Sequence, residues 1–524
     1  MKFVRFGLSL WLCVAASPAA QGPSLSTVLN FQHRNTPTAQ KYLIETMGGG
    51  VAVLDYNNDG LLDIFLVNSG ALTEGSKTFA RTLPANWNRL YRQGPVGTFT
   101  DVTASAKLDR MPLESYGMGV ATADIDNDGW MDLYLTSYGP NVLYRNKGDG
   151  TFEDITTPVT KSSGWSASAG FFDYDNDGDL DLFVTRYLDW DLNRNILCGT
   201  PFHAYCRPDK FGAVSNVLLR NDGKGGFTDQ SESTGIAAVK GKALGVAFRD
   251  YDGEGFTDIF VANDGMEQFL FRNRQGKAFQ EVALEAGVAF GDDGKPFAGM
   301  GVAFDDYDND GKPDLAITVL ALEKYPLFRN NGDGTFGYAS GSTGLAALTA
   351  PSSGWGVKWA DFDNDGFKDL FVAQSHVLDN VERIHSGLRY LEPMALYRQT
   401  PPGKFERRDI GEPAAYRGAA FGDLNNDGAM DVVVQVLGGR PVIVYGKPQN
   451  HWLLIKAPIG TAVQAGNVHG YATTAGSYQS ASDARIHLGL GTREKVDVEV
   501  RFPDGRRKTL TGVATNQILD VSKP

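Results

Sequence analysis

An all-β fold is what this sequence predicts: a seven-bladed β-propeller followed by a small C-terminal β domain. Three observations carry that expectation. An acidic loop with the pattern of DYDNDGDLDLFV (Asp173 to Val184) occurs seven times, starting at Asp55, Asp124, Asp173, Asp250, Asp306, Asp361 and Asp423. Every copy lies in the same frame of short β-prone runs broken by Gly, Asn and Asp turns. The starts recur at intervals of 49 to 77 residues, as expected of four-stranded units repeated around a ring.

The N-terminus has Lys2 and Arg5, then the apolar run Phe6 to Ala16, then small residues. That is the pattern of a secretory signal peptide, with cleavage expected after Ala19. The run is short for a membrane span, and Cys13 lacks the small residues that precede a lipid-modified cysteine. The expected division is a signal peptide over 1–19, a propeller over 25–447 and a β domain over 449–524. The chain is expected outside the cytoplasm: secreted, periplasmic or at the cell surface. After cleavage only Cys198 and Cys206 remain, in one loop of an exported chain, which favours a disulfide over two free thiols.

The formal net charge is −13, which excludes a basic nucleic-acid-binding surface. The seven motifs hold 26 of the 62 acidic residues, so the negative balance belongs to them and seven divalent cations would roughly neutralise it.

Within each unit the elements follow in order. A Gly-containing apolar stretch precedes the motif, as in GMGVATADI from Gly117 and GWGVKWADF from Gly354. A β-rich segment follows, such as LDLFVTR from Leu180. An LYRN-like segment comes next, as in VLYRN from Val142, and a TFxD-like strand such as GTFEDIT from Gly150 closes the unit. One such sheet cannot bury both faces, but radial stacking lets each blade cover its neighbour. The glycines of the first strand suit the position nearest the axis. The seventh unit lacks its last strand, and Thr27 to His33 is expected to supply it and close the ring. From Asn450 the repeat stops, and HWLLIKA, ARIHLGLG, KVDVEVRFPDG, RKTLTGV and QILDVSK read as strands of the separate domain.

The motif places oxygen-bearing side chains at positions 1, 3, 5 and 9 with Gly at 6. Alternate residues on a tight loop aim several oxygens inward, which suits Ca²⁺ with its six to eight hard ligands better than Mg²⁺. The candidate ligands are Asp55, Asn57, Asp59 and Asp63; Asp124, Asp126, Asp128 and Asp132; Asp173, Asp175, Asp177 and Asp181; Asp250, Asp252, Glu254 and Asp258; Asp306, Asp308, Asp310 and Asp314; Asp361, Asp363, Asp365 and Asp369; and Asp423, Asn425, Asp427 and Asp431. Up to seven Ca²⁺ ions are expected. An EF-hand is excluded, because position 12 is apolar in the first two copies (Leu66, Leu135) and the flanks are strands. The weakest binding is expected at the first and last loops, which lose a charge at Asn57 and Asn425, and at the fourth, with Gly253 and Glu254.

These motifs resemble the FG-GAP/VCBS-type calcium repeats of integrin α-chain propellers. With ETMGGGVAVLDYNNDG from Glu45, CGTPFHAYCRP from Cys198, YQSASDARIHLGLG from Tyr478 and VRFPDG from Val500, the chain after the signal peptide resembles the cartilage acidic protein family with its C-terminal ASPIC/UnbV domain. The resemblance implies exported, calcium-binding, non-catalytic proteins. This chain departs from the family between Gly460 and Tyr478, where the usual stretch is shortened.

Insertions between the second and third strands, Ser69–Trp87, Arg186–Gly212 and Gln374–Pro393, are expected on the face opposite the acidic loops. Trp87, Tyr187, Trp190, Tyr205, Arg207, His376, Arg383 and Tyr390 lie there, and loops on a rigid scaffold are the usual place for recognition. These aromatics also suit small cores within the insertions. The expected function is a non-catalytic adhesion module binding an extracellular protein or glycan. The alternatives are a calcium-dependent lectin or a polysaccharide lyase, with His376 the only attractive base; no HExxH or nucleophile–His pattern is present.

Overall fold

The computed structural model describes residues 23–522 apart from 36, 73–78, 81–83, 110, 111, 113 and 401–402. The expected signal peptide over 1–19 lies outside the described residues. Each repeat becomes a four-stranded antiparallel sheet. In the second, Tyr116–Ala123, Asp132–Tyr138, Val142–Asn146 and Phe152–Asp154 pair in that order, with Ala123 opposite Asp132 and Tyr144 opposite Asp154. Seven such sheets are present among the described residues, the fourth extended by Phe297–Ala298.

The first strands of successive sheets touch: Val51–Leu54, Tyr116–Ala123, Ser166–Phe172, Ala243–Arg249, Val302–Asp305, Gly354–Ala360 and Tyr416–Gly422, the last returning to the first. The result is a closed β-propeller. Its core runs between the blades, where facing sheets interdigitate apolar side chains such as Leu133 and Leu135 with Phe65 and Val67. At the axis the approach is too close for a side chain. A Cβ on Gly301 would lie 2.0 Å from the Trp355 carbonyl oxygen, which explains the glycine-rich first strands.

Ring closure uses a different segment from the one expected. Ser24–Ser26, not Thr27–His33, pairs antiparallel with Val442–Tyr445, Leu25 facing Val444. Leu29 and Phe31 instead bury against Val51, Ile64, Val433 and Ile443. The physical reason is that the outermost strand of a blade faces solvent, whereas the apolar residues gain more by filling the seam between the last and first blades.

The C-terminal region forms two sheets around its own core. His451–Lys456 lies between Ile486–Gly491 and a parallel Gln517–Asp520, and the second sheet has the order Val468–Tyr471, Ala462–Ala465, Lys495–Arg501, Arg507–Ala514. The shortened stretch after Gly460 still supplies one hairpin.

From this domain the segment 473–483 enters the axis of the propeller. Gln479 O accepts the Val120 amide at 3.1 Å, Ala481 O the Val53 amide at 3.1 Å, and Ser477 O the Val302 amide at 3.0 Å. Ser477 Oγ accepts the Val357 amide and donates to Ala419 O, and Ser168 Oγ accepts the Gln479 amide. First strands of six of the seven sheets thus bond one strap. Tyr478, fully buried, reaches through to the far end and packs edge-on against Trp355 at 5.0 Å. The segment that carried the family resemblance is the axle of the ring.

Candidate metal centres

Each acidic loop joins the first two strands of its sheet, and the turn is built by the motif itself. The Gly at position 6 has φ between +84° and +97° in all seven copies, a region that strongly favours glycine. Its amide donates to the position-1 carboxylate, for example Gly178 to Asp173 at 3.0 Å and Gly428 to Asp423 at 2.7 Å. Position 4 is left-handed too, and in six loops it is Asn, which tolerates that conformation. In five of the six its side-chain amide donates to the position-6 carbonyl of the next loop, as in Asn58 to Gly129, Asn176 to Gly255 and Asn309 to Gly366. Asn127 reaches the Asp179 carboxylate instead. The fourth loop has Gly253 at this place and makes no such link.

Position 9 does two jobs. Asp181 accepts the position-2 amide of Tyr174 at 3.1 Å and the Asn221 amide at the end of the third strand at 2.9 Å. The same pair of bonds recurs at Asp63, Asp132, Asp258, Asp314, Asp369 and Asp431. The Asn of LYRN then donates to the position-2 carbonyl of the preceding blade's loop, as Asn146 does to Tyr56 O at 2.8 Å and Asn330 to Tyr251 O at 2.9 Å. Sequence reading missed these roles. Their only trace was the repetition of Asp at position 9 and of Asn or Gln after LYR.

Five loops bring three carboxylates within 4.8 Å of one another: Asp124, Asp126 and Asp132; Asp173, Asp175 and Asp181; Asp250, Asp252 and Asp258; Asp306, Asp308 and Asp314; Asp361, Asp363 and Asp365. Asp128, Asp177, Glu254, Asp310 and Asp369 fall outside these groups. Asp55, Asn57, Asp59 and Asp63 in the first loop, and Asp423, Asn425, Asp427 and Asp431 in the last, form no such triplet; in both, the position-3 Asn turns to donate to the position-5 carboxylate.

The electrostatics of these groups suit a cation. Asp126, Asp173, Asp175, Asp250, Asp308 and Asp363 each leave a buried Oδ1 without a hydrogen-bond partner. Burial pushes the position-9 carboxyls of Asp63, Asp132, Asp181, Asp314, Asp369 and Asp431 up to about 8, and that of Asp258 well above the usual range. Desolvated carboxylates packed together are neutralised either by holding protons or by positive charge between them. The Arg of LYRN supplies part of it from outside. Arg220 pairs with Asp175 and Asp177 at 2.7 Å each, and Arg329 with Asp308 and Asp310 at 2.6 Å each. In the fourth loop Arg272 pairs with Asp252 at 2.6 Å and also with Glu254, and Arg501 of the C-terminal domain reaches Asp250 at 3.2 Å. Inward-facing oxygens without partners, on hard donors, fit a calcium ion.

On the opposite face the insertions behave in two ways. Tyr187, Trp190 and Tyr205 are buried with Trp165, Tyr116 and Tyr478 in one aromatic cluster. His376 is also buried; its Nδ1 accepts the Leu378 amide, and desolvation lowers its pKa to about 4. Trp87 and Tyr390 are half-buried, and Arg207 and Arg383 are exposed. Cys198 and Cys206 are disulfide-bonded, with Cα atoms 5.2 Å apart. The loop they close presents Phe202, whose ring lies under the Arg383 guanidinium at 4.4 Å, while Asn380 donates to His203 O at 2.8 Å. Phe202, Ile196, Leu197 and Ile384 stand exposed in this region. Among the described residues no helix is long and apolar enough to cross a membrane.

Comparison with known proteins agrees with this architecture. The FG-GAP-like repeat family matches residues 55–135, 124–184, 250–317 and 319–372, and the ASPIC and UnbV family matches 456–524. The chain is a β-propeller protein that carries FG-GAP-like repeats and a C-terminal ASPIC and UnbV domain. It is a relative of cartilage acidic protein 1: 22% identical to the Homo sapiens protein over 559 residues, covering 100% of this chain and 79% of that one, and 22% identical to the Xenopus tropicalis protein, covering 95% and 76%. Among solved structures it is similar to YCF48 from Cyanidioschyzon merolae (TM-score 0.42, 10% identity, covering 76% of this chain and 96% of that one). It is also similar to an Agrocybe aegerita lectin described as recognising non-reducing terminal N-acetylglucosamine (TM-score 0.40, 15% identity, covering 75% and 87%).

Proposed function

We propose that this chain is an exported, calcium-stabilised binding module that recognises a protein partner through the face opposite its acidic loops. The calcium part rests on the partnerless buried oxygens of the second to sixth loops, which a divalent cation would satisfy. The ions are structural in this reading, because the carboxylates around them are committed to turns and blade-to-blade bonds.

The observation that carries the recognition part is the patch around Phe202. Ile196 and Leu197 just ahead of the disulfide loop, Phe202 within it and Ile384 from the sixth-blade insertion are exposed, and Phe202 is held by the Arg383 stack and by the loop-to-loop Asn380 bond. Preordered apolar side chains rimmed by charge suit a protein interface. Sugar binding draws on exposed aromatic faces, and Tyr187, Trp190 and Tyr205, which would have offered them, are buried. A lyase base at His376 is disfavoured by its burial and its engaged Nδ1.

Two measurements test this. A photo-crosslinking residue at Phe202, in the intact exported chain, is expected to capture a discrete protein from the native exported fraction, and the capture is expected to be lost in Ile384→Ser. Glycan binding that survives Ile384→Ser, with no protein captured, would overturn it. Calcium content is the second: several ions per desalted chain are expected, and near-zero calcium with a melt unaffected by chelator would sink the structural role.

A further inference from the structure

The position-6 glycines divide the seven loops into two classes. Around Gly60, Gly129, Gly178 and Gly255 the space above is open, with no atom within 4 Å of where a Cβ would stand. In the last three loops the C-terminal domain fills it. The His469 ring lies 3.5 Å from that point at Gly311, the Gly489 carbonyl 3.8 Å from it at Gly366, and the Trp452 indole presses directly on Gly428. The position-1 carboxylates follow the same division: Asp306, Asp361 and Asp423 are 1%, 4% and 0% exposed, whereas Asp55, Asp124, Asp173 and Asp250 are only half-buried.

The cover is bonded to the loops it hides. Lys368 donates to Asp306 O at 2.9 Å and to His469 O at 2.8 Å. The Gly491 amide donates to Asn364 O at 2.8 Å. Arg485 donates to the Asn426 side chain at 2.8 Å and to Asp423 O at 3.1 Å.

We propose that the C-terminal domain is a lid over the fifth, sixth and seventh loops, so that cations held in the fifth and sixth exchange only when the domain lifts, while those of the second to fourth exchange freely; Arg501 reaches Asp250 from one side, but the space above Gly255 stays open. The inference rests on the calcium reading above. Its physical basis is that an ion cannot leave without a path for water to replace its ligands, and opening such a path through a packed interface costs local unfolding free energy. The open loops need no such step.

The test is stopped-flow release of calcium from the loaded full-length chain into a fluorescent chelator. Two phases are expected, the slower by about tenfold or more. Asp173→Asn is expected to remove amplitude from the fast phase alone and Asp361→Asn from the slow phase alone. Trp452→Ala is expected to accelerate the slow phase and leave the fast one unchanged; should it fail to fold, Arg485→Ala carries the same comparison. Release in a single phase, or a slow phase indifferent to Arg485→Ala, would overturn the lid while leaving the calcium reading intact. A chain that retains no calcium after equilibration with the ion and desalting would overturn both.

Discussion

Asn426 donates its side-chain amide to the Gly60 carbonyl at 2.9 Å, joining residues 366 positions apart. The bond belongs to a chain of links in which every acidic loop but the fourth holds the next, and it lies on the seam where the last blade meets the first. The Ser24–Ser26 strand closes the same sheet at its outer edge. The seam is therefore fastened near the axis by a side chain and at the rim by backbone.

Asn426 has φ +57°, so glycine is the replacement that keeps the backbone and removes only the side chain. Asn426→Gly is expected to cost about 1–3 kcal/mol, for the bond to Gly60 and the one accepted from Arg485, read as a lower midpoint of thermal unfolding. The reverse change, Gly253→Asn, restores the missing link between the fourth and fifth loops at a residue already at φ +75° and is expected to raise the midpoint. An unchanged melt for both would show that the links contribute nothing.

Positions 3 and 9 of one loop separate metal binding from folding. Asp181 is buried and accepts two amides, so Asp181→Asn is expected to destabilise the chain by about 1–3 kcal/mol with or without calcium. Asp175, in the same carboxylate group and with its Oδ1 unpartnered, meets the third strand only through the Arg220 side chain at 2.7 Å. Asp175→Asn is expected to lower the melt more in calcium than in chelator. Paired melts in calcium and in chelator make the comparison.

The axial strap predicts that the propeller depends on the domain after it. A chain ending at Lys447 leaves the Val53, Val120 and Val302 amides without their acceptors at the centre of the ring. Unpaired buried amides cost about 1–3 kcal/mol each, so the truncated propeller is expected to unfold at markedly lower temperature than the full chain. Ser477→Ala, which removes one hydroxyl bridging the Val357 amide and Ala419 O, is the mild version of the same test.

Glu392 predicts a pH dependence away from the metal loops. Burial raises its carboxyl from 4.5 to about 7, although the Ser353 amide, the Ser352 hydroxyl, Arg407 and Arg417 all favour the charged form. The folded chain therefore holds this proton up to a higher pH than the unfolded chain, and stability is lost as pH rises from about 4.5 to 7. Glu392→Gln is expected to match the wild type below pH 4.5 and to melt above it at pH 8, both measured in saturating calcium. A variant less stable than wild type at pH 8 would contradict the sign.

The spacing of Asp, Asn and Gly fixed where the turns fall, because few residues enter left-handed backbone and a hard-cation loop needs its oxygens on alternate residues. Seven copies in β-prone frames sufficed for the propeller, since sheets of that length bury their faces only against one another. The pattern also located the insertions on a separate face. It did not tell Trp190 from Phe202: both are aromatics in one insertion, but Trp190 packs 5.4 Å from Trp165 while Phe202 is held out by the disulfide loop. Leu29 and Phe31 misdirected the closing strand, because apolar alternation marks burial of any kind and here it marks a seam. The path of 473–483 was the least legible of all. Its small residues, Ser477, Ser480 and Ala481, reveal their use only when seven first strands converge and leave an axis too narrow for larger side chains. Local chemistry determined the loops; which loops are covered, and what fills the centre, was decided by distant parts of the chain meeting in space.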